Sequence, residues 1–462
     1  MPGITRRLAE FSLELKYDDL PRAVVAGAKH GILDLLGVAL LGSADKSTRM
    51  ILQACEPSED RGTATVVGTD TQTSPAKAAW VNAFAAHALD YDDTQHNCNT
   101  HMSAPVLGSA LALAGALRCS GKTMLTAYVA GFELGCRLGR VRRFGRHLQQ
   151  QGVHPTGLLG HFGAVTAAGK LVGLDGAQMR RSLGIAATQA AGLTRSFGTM
   201  CKPLNAANAA QDAVLSALLA KQGFTGPEQI FEGEGNIFSV YGARTAPDEL
   251  VQDLGQQFEI SRNTIKVYAC AGWRNPILEA AILLATTHRL QPEDIRKATV
   301  RACADQTRLP NYPKPRTCLE GNFSAEHAAA VAFADRAGGM KQFTDERVAD
   351  PALAELRDRI TLETDVELSP YQIRVLVYTA DGRELSHFIP AQKGDPRNPL
   401  SWDELVAKFR ANAATVLSPQ RAEKLAAMIR DLEGLGNVAE LMHLCRPDDA
   451  KIRHYMVVDI IH

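Results

Sequence analysis

The apolar positions of this chain fall first into a series of helix-length runs. SPAKAAWVNAFAAHALD, APVLGSALALAGALRC, KTMLTAYVAGFELGCRLGR, LLGHFGAVTAAGKLVGL, GAQMRRSLGIAATQAAGL and LNAANAAQDAVLSALLAKQGFTGP dominate the stretch from Asp18 to Phe258. Alanine and glycine are frequent on them, so closely packed helices are expected. Leu8, Phe11 and Leu15 give an earlier helix one apolar face. Gly223 and Pro227 supply a stop for the last run. No fixed repeat period is visible, which argues against a solenoid.

The texture changes after Ser261. KATVRACAD has the branched character of a strand, and YQIRVLVYTADGRELSHFIP reads as a hairpin around Asp381-Gly382. Helical segments interleave, among them NPILEAAILLATTHRL and SAEHAAAVAFADRAGG. KGDPRNPLSWDELVAKF is rich in breakers, and Ser401 to Glu404 has capping-box spacing. Helical patterns then return. The expected fold class is mainly α: a large all-helical domain made of residues 1–262 and 398–462, with an inserted smaller α+β lid domain, residues 263–397. A cleft between two such parts is a favoured place for a small-molecule site.

Composition narrows the partners. The chain has 462 residues, which suggests two or three domains. It is 45% hydrophobic and 22% charged, a globular balance. Basic and acidic residues number 50 each, so no basic surplus points to nucleic acid. Apolar runs such as GVALLG fall short of the roughly 18–20 residues of a membrane span. The opening MPGITRRLAEFSLELKYDD lacks a signal-peptide core. Nine cysteines, an odd number without a CxxC pair, argue against a disulfide framework, a zinc ribbon or an iron–sulfur cluster. A cytoplasmic location is the expectation, and nothing calls for a metal or organic cofactor.

The candidate chemistry sits between the helices. HALDYDDTQHNCNTHMSAPVLGSALALAGA, residues 87–116, crowds acids, histidines and threonines between two apolar runs. Asp90, Asp93 and Thr94 share a face if a helical turn continues there. His101 stands just before a helix with Ser103 as N-cap and Pro105 in its first turn. Free N–H groups at such a start attract anions. His154 repeats that geometry before Pro155. Lys202 precedes a helix opened by Pro203, where the helix dipole disfavours a cation. A lysine there makes sense if it helps the helix end hold a bound carboxylate, and its positive surroundings should lower its pKa. Lys266 lies at the domain junction, with Arg274 and Asn275 just before another helix. Lys314 and Arg316 read as solvated. Taken singly, most of these are capping or solvated residues. Taken together, two histidines, two lysines and several helix N-termini suit a small polycarboxylate, with fixed cations aimed at developing negative charge.

Several of these motifs occur in one order: HALDYDDT followed by THMSAPVL, then HPTGLLGHFGA, FGTMCKPLNAANAA leading to GFTGP, and PRTCLEGNFS. In this the chain resembles the MmgE/PrpD family of 2-methylcitrate dehydratases, cis-aconitate decarboxylases and iminodisuccinate epimerases. The resemblance implies a helical domain built from both chain ends, an inserted α+β lid, a homodimer, and no metal or organic cofactor. It carries the family's site onto Asp90, Thr94, His101, His154, Lys202 and Lys266. Four places depart from the pattern: Met102 replaces the proline of a THPS motif, the loop before it is a residue longer than in the decarboxylases, Asn205 stands where members often have histidine, and Asn275 lies near the place of a lid histidine. The implied activity is that of a cofactor-independent lyase acting on a small di- or tricarboxylate. Dehydration of a 2-methylcitrate-like substrate is the first reading. Decarboxylation or epimerisation in the same pocket, or carboxylate binding without turnover, are the alternatives. The catalytic set would be His101, His154, Lys202, Lys266 and Asp90, and the substrate-binding set Thr94, Ser103, Asn205, Arg274 and Asn275. In this scheme Lys202, Lys266 and Thr94 hold carboxylates, and the two histidines share proton transfer helped by Asp90.

Overall fold

The computed structural model describes residues 3–55, 62–244 and 247–448. The final part of the expected C-terminal helical segment, residues 449–462, lies outside the described residues. The fold is mainly α. The apolar runs form the helices Arg22–Ser43, Pro75–His87, Ser103–Ala116, Gly121–Arg140, Pro155–Leu171, Gly176–Ala187 and Cys201–Lys221. Small residues let them approach closely. A Cβ on Gly131 would stand 2.5 Å from the Gly163 carbonyl oxygen and 2.9 Å from Val106, so three helices meet where only glycine fits.

One apolar core unites these helices with the chain's later ones, Trp402–Ala413, Pro419–Arg430 and Val438–Leu444, through Leu405, Phe409, Leu425, Ile429 and Leu441. The capping box expected at Ser401 is present: Glu404 N–H donates to Ser401 Oγ and Ser401 N–H to Glu404 Oε2. A second core lies under a four-stranded sheet. The strand Ile295–Ala302 runs parallel to Ile360–Thr364 on one side and antiparallel to Ile373–Thr379 on the other, with Ala298 opposite both Ile360 and Val377. Glu384–Ile389 completes the expected hairpin, and its turn places Gly382 at φ 86°, a backbone region that favours glycine. Val300, Val375 and Val377 pack with Leu278 and Ala329 of the helices Asn275–His288 and Ala325–Asp335.

One expectation is corrected here. The short run GVALLG belongs to the 22-residue helix Arg22–Ser43, which is long and apolar enough to cross a bilayer by length and composition alone. In this structure 67% of its apolar window is buried within the fold. Asp34 lies in its middle, 2% exposed, and accepts a hydrogen bond from Lys408 Nζ at 2.6 Å. Lys408 also donates to the carbonyls of Tyr91, at 3.2 Å, and Lys266, at 2.7 Å, and its ammonium lies 3.9 Å from the Tyr91 ring centroid. This cation ties a C-terminal helix to a core helix and to the loop carrying Lys266.

Removing one partner of a buried pair leaves the other charge without compensation. Lys408→Ala should therefore cost about 3–5 kcal/mol in urea unfolding, and adding Asp34→Leu should recover part of it. A single-variant loss below about 1 kcal/mol, the range of surface pairs, would refute this role.

Candidate active site

After His87 the chain leaves the helix. Asp90 adopts the left-handed region at φ 50°, uncommon for a residue with a Cβ but tolerated by aspartate. Lys266 Nζ explains it, donating at 2.6 Å to the Asp90 carbonyl and at 2.6 Å to its Oδ1. The continuing helical turn expected for Asp90, Asp93 and Thr94 is thus not formed. Instead Thr94–Gln95 pairs antiparallel with Asn263–Thr264, and this short ladder brings Lys266 to the turn.

A second lysine meets the same carboxylate. Lys202 lies inside the first turn of the helix Cys201–Lys221, rather than ahead of it, with Nζ 3.0 Å from Asp90 Oδ1. Lys202 is 4% exposed, and beyond Asp90 no polar side chain among the described residues satisfies its Nζ. Burial pushes its pKa down, and Asp90 opposes that. Burial likewise disfavours the charged form of Asp90, but Lys202 and Lys266 outweigh it and hold the carboxyl well below the usual range.

Two histidines complete the group. His101 Nδ1 lies 3.0 Å from the Asp93 carbonyl oxygen. A carbonyl can only accept, so the ring proton sits on Nδ1 and Nε2 keeps its lone pair. That Nε2 is 3.8 Å from Asp90 Oδ1. Burial lowers the His101 pKa to about 4, although Asp92 pulls the other way. His154 is the N-cap residue of the helix Pro155–Leu171, where the sequence puts it. Asn205 Nδ2 donates to its Nδ1 at 2.9 Å, which leaves the hydrogen on Nε2. Burial, reinforced by Lys202, drives the His154 pKa well down. The free ring nitrogens of the two histidines therefore differ: one accepts, the other donates.

Behind His101 stand two residues outside the sequence-derived set. Asp92 Oδ2 is 2.9 Å from His87 Nδ1 and 3.4 Å from His101 Nδ1. The His87 ring centroid lies 4.6 Å from that of His101 and 6.0 Å from that of His154. In the sequence, only the density of acids and histidines around HALDYDD hinted at this pair. Candidate ligand atoms of His87, Asp92 and His101 lie within 4.8 Å of one another, so these three could also surround a divalent ion.

Thr94, His101, His154, Phe197, Lys202 and Tyr371 line a cavity of about 20 Å³. That is room for a water, not for a tricarboxylate. The site is thus closed tightly around the convergence of Asp90, two lysines and two histidines. Residues 6–249 match the MmgE/PrpD N-terminal domain and residues 268–434 the MmgE/PrpD C-terminal domain. The chain belongs to the MmgE/PrpD family. It is 28% identical to a cis-aconitate decarboxylase of Mus musculus over 466 residues, covering 96% of this chain and 94% of the relative. A cis-aconitate decarboxylase of Homo sapiens is 28% identical, with 96% and 95% covered, and one of Aspergillus terreus 27% identical, with 96% of each covered. This MmgE/PrpD protein is a lyase.

Its departures from the family motifs have structural answers. Met102 is fully buried, and its Sδ occupies the notch left by two glycines, since a Cβ on Gly135 or Gly163 would approach it to 2.6 or 2.8 Å. Asn205 orients His154, so it acts on the ring and not on a ligand. Of the five expected substrate-binding residues only Thr94 lines the cavity; Asn205, Ser103, Arg274 and Asn275 do not. Ser103 is the first residue of its helix rather than the N-cap; its hydroxyl bonds Asp93 and, at 2.6 Å, Tyr128 Oη. Arg274 is spent on the carbonyls of Phe323 and Pro310 and on Asn311 Oδ1. Asn275 holds the 268–271 loop: its Oδ1 accepts from Tyr268 N–H, and its Nδ2 donates to the carbonyls of Tyr268, Cys270 and Ala271. Lys314 and Arg316 have side chains 81% and 87% exposed, as solvated residues should.

The histidines give the protein a pH signature. An unfolded histidine titrates near 6.5, whereas His101 in the fold titrates at about 4. Between these values the unfolded chain binds more protons, so stability rises with pH and is lost as pH falls through the window. His87 and His154 are shifted in the same direction. Urea unfolding at pH 6.5 and pH 4.5 should show a fall, with His101 alone contributing about 3 kcal/mol across its full shift. His101→Gln should flatten the dependence, and an unchanged slope would contradict the assignment.

Proposed function

We propose that this lyase decarboxylates a cis-aconitate-like unsaturated tricarboxylate. The observation that carries the reading is Lys202: a buried ammonium facing the cavity, paired with Asp90 alone and so left with N–H donors to spare. Such a group is left for a ligand carboxylate to satisfy. The decarboxylase names of the relatives favour this reaction over dehydration.

In this scheme Lys202 and Thr94 hold one substrate carboxylate, and the His154 Nε2–H donates to another. Bringing negative charge beside His101 raises its depressed pKa, so binding is accompanied by uptake of a proton at Nε2. Asp92, on the far side of the ring, stabilises the imidazolium. The departing carboxylate leaves as carbon dioxide, and its C–C electron pair passes into the conjugated carboxylate system. His101 then delivers its proton to carbon, giving a methylene-succinate. One proton is consumed for each carbon dioxide released. Residues 263–397 act as a lid domain over a helical body of residues 1–262 and 398–462, opening to admit a substrate that the closed cavity cannot hold. Assembly as a homodimer belongs to the same proposal and rests on the family resemblance. The second reading is hydration–dehydration of a 2-methylcitrate-like substrate, favoured by the unprotonated His101 Nε2, which suits proton abstraction.

The test is incubation of the purified protein with cis-aconitate and, separately, with 2-methylcitrate, read by NMR. Decarboxylation should yield the methylene-succinate and carbon dioxide. Lys202→Ala should lower kcat/KM by about 10²–10³, and His101→Gln should abolish proton delivery. Water loss from 2-methylcitrate with no reaction of cis-aconitate would move the assignment to the second reading. Binding of both without turnover would overturn both.

A further inference from the structure

Beside the reaction cavity lies a far larger chamber of about 1230 Å³. Its walls carry Arg140, Arg143, Arg146, Arg262, Arg308 and Arg397, six arginines against three carboxylates. Four of the six are already engaged: Arg146 with Asp305, Arg397 with Asp395 at 2.8 Å, and Arg140 and Arg262 with Glu259 at 3.2 and 3.1 Å. Arg143 and Arg308 are exposed and have no ion-pair partner among the described residues. Arg143 owes its position to a turn in which it and Arg142 both adopt left-handed φ, 55° and 47°. Two bulky residues in succession there are strained, so the fold spends energy to present this arginine.

The chamber and the reaction cavity are neighbours. Asn99, Gln149 and Tyr371 line both. Thr94, on the cavity side, pairs with Thr264, on the chamber side. Tyr371 stands at this partition, with its backbone left-handed at φ 67° and its ring stacked on His96 with centroids 3.5 Å apart.

We propose that this chamber is a second anion subsite, an antechamber in which Arg143 and Arg308 capture a polycarboxylate before it crosses the Tyr371–His96 partition. That the anion is a carboxylate rests on the function proposed above. Guanidinium forks match carboxylates bidentately, and a cleft lined by one sign of charge concentrates ligands of the other. The chamber has the volume for a tricarboxylate that the closed inner cavity lacks.

The experiment uses the full chain and propane-1,2,3-tricarboxylate, which has no double bond to react. Titration calorimetry should show two sites in the wild type. Arg143→Asn with Arg308→Gln should remove the outer one, with asparagine chosen because it tolerates the left-handed turn. Lys202→Ala should remove the inner one and leave the outer. In steady state with cis-aconitate, the double variant should raise KM about tenfold at low salt, a loss of one factor of ten in capture, with kcat retained and the salt dependence of kcat/KM flattened. Inorganic phosphate as competitor should displace the tricarboxylate from the outer site weakly, and equal displacement would overturn the carboxylate class. Wild-type binding and KM in the correctly folded double variant would overturn the antechamber while leaving the function intact. Loss of the outer site without any turnover by the wild type would sustain the subsite and sink the function.

Discussion

One buried carboxylate, Asp90, answers two buried lysines that arrive from different parts of the chain. Either ammonium alone in a dry site would be costly, and two without a counter-charge would repel each other. Asp90 settles the backbone as well as the charge, because Lys266 takes both its carbonyl and its Oδ1 and so fixes the left-handed turn that ends the preceding helix. Three groups of the site are placed relative to that turn: Thr94 through its strand pairing, His101 through the Asp93 carbonyl, and Lys202 through the ion pair.

Around this centre, protons are allocated by hydrogen bonds made on the rear side of each ring. A backbone carbonyl assigns His101 its tautomer, and a side-chain amide assigns His154 the opposite one. Asparagine at position 205 does not titrate, so the proton it leaves on His154 Nε2 is well defined. Asp92 and His87 form a further layer, buried and paired, which fixes the face that His101 can present.

Local signals carried much of the fold in the sequence. The Asp381-Gly382 hairpin, the Ser401 capping box and the placement of His154 before Pro155 depend on neighbours a few residues away, and the structure has them all. What stayed hidden depends on distant partners. The Asp90 turn is caused by a lysine 176 residues later, so no periodicity around Asp90 could disclose it. Ser103 has cap chemistry, but Tyr128 and Asp93 claim its hydroxyl from other elements. Arg274 has the right side chain at a helix start, yet the Phe323 carbonyl 49 residues on takes it, while Asn275 is consumed by the 268–271 loop just before it. The gathering of Asp90, His101, His154, Lys202 and Lys266 was legible through motif order; the closure around them to a water-sized space was not.

Lys408 couples the helical core to the site. Its ammonium neutralises Asp34 in a core helix and grips the carbonyl of Lys266, the residue that sets the Asp90 turn. Without that contact Asp34 would be buried with no cation beside it, and the Lys266 carbonyl would lose its donor. The helix Trp402–Ala413 thus bears on the reacting groups without touching them, through one ammonium shared by the core and the Lys266 loop.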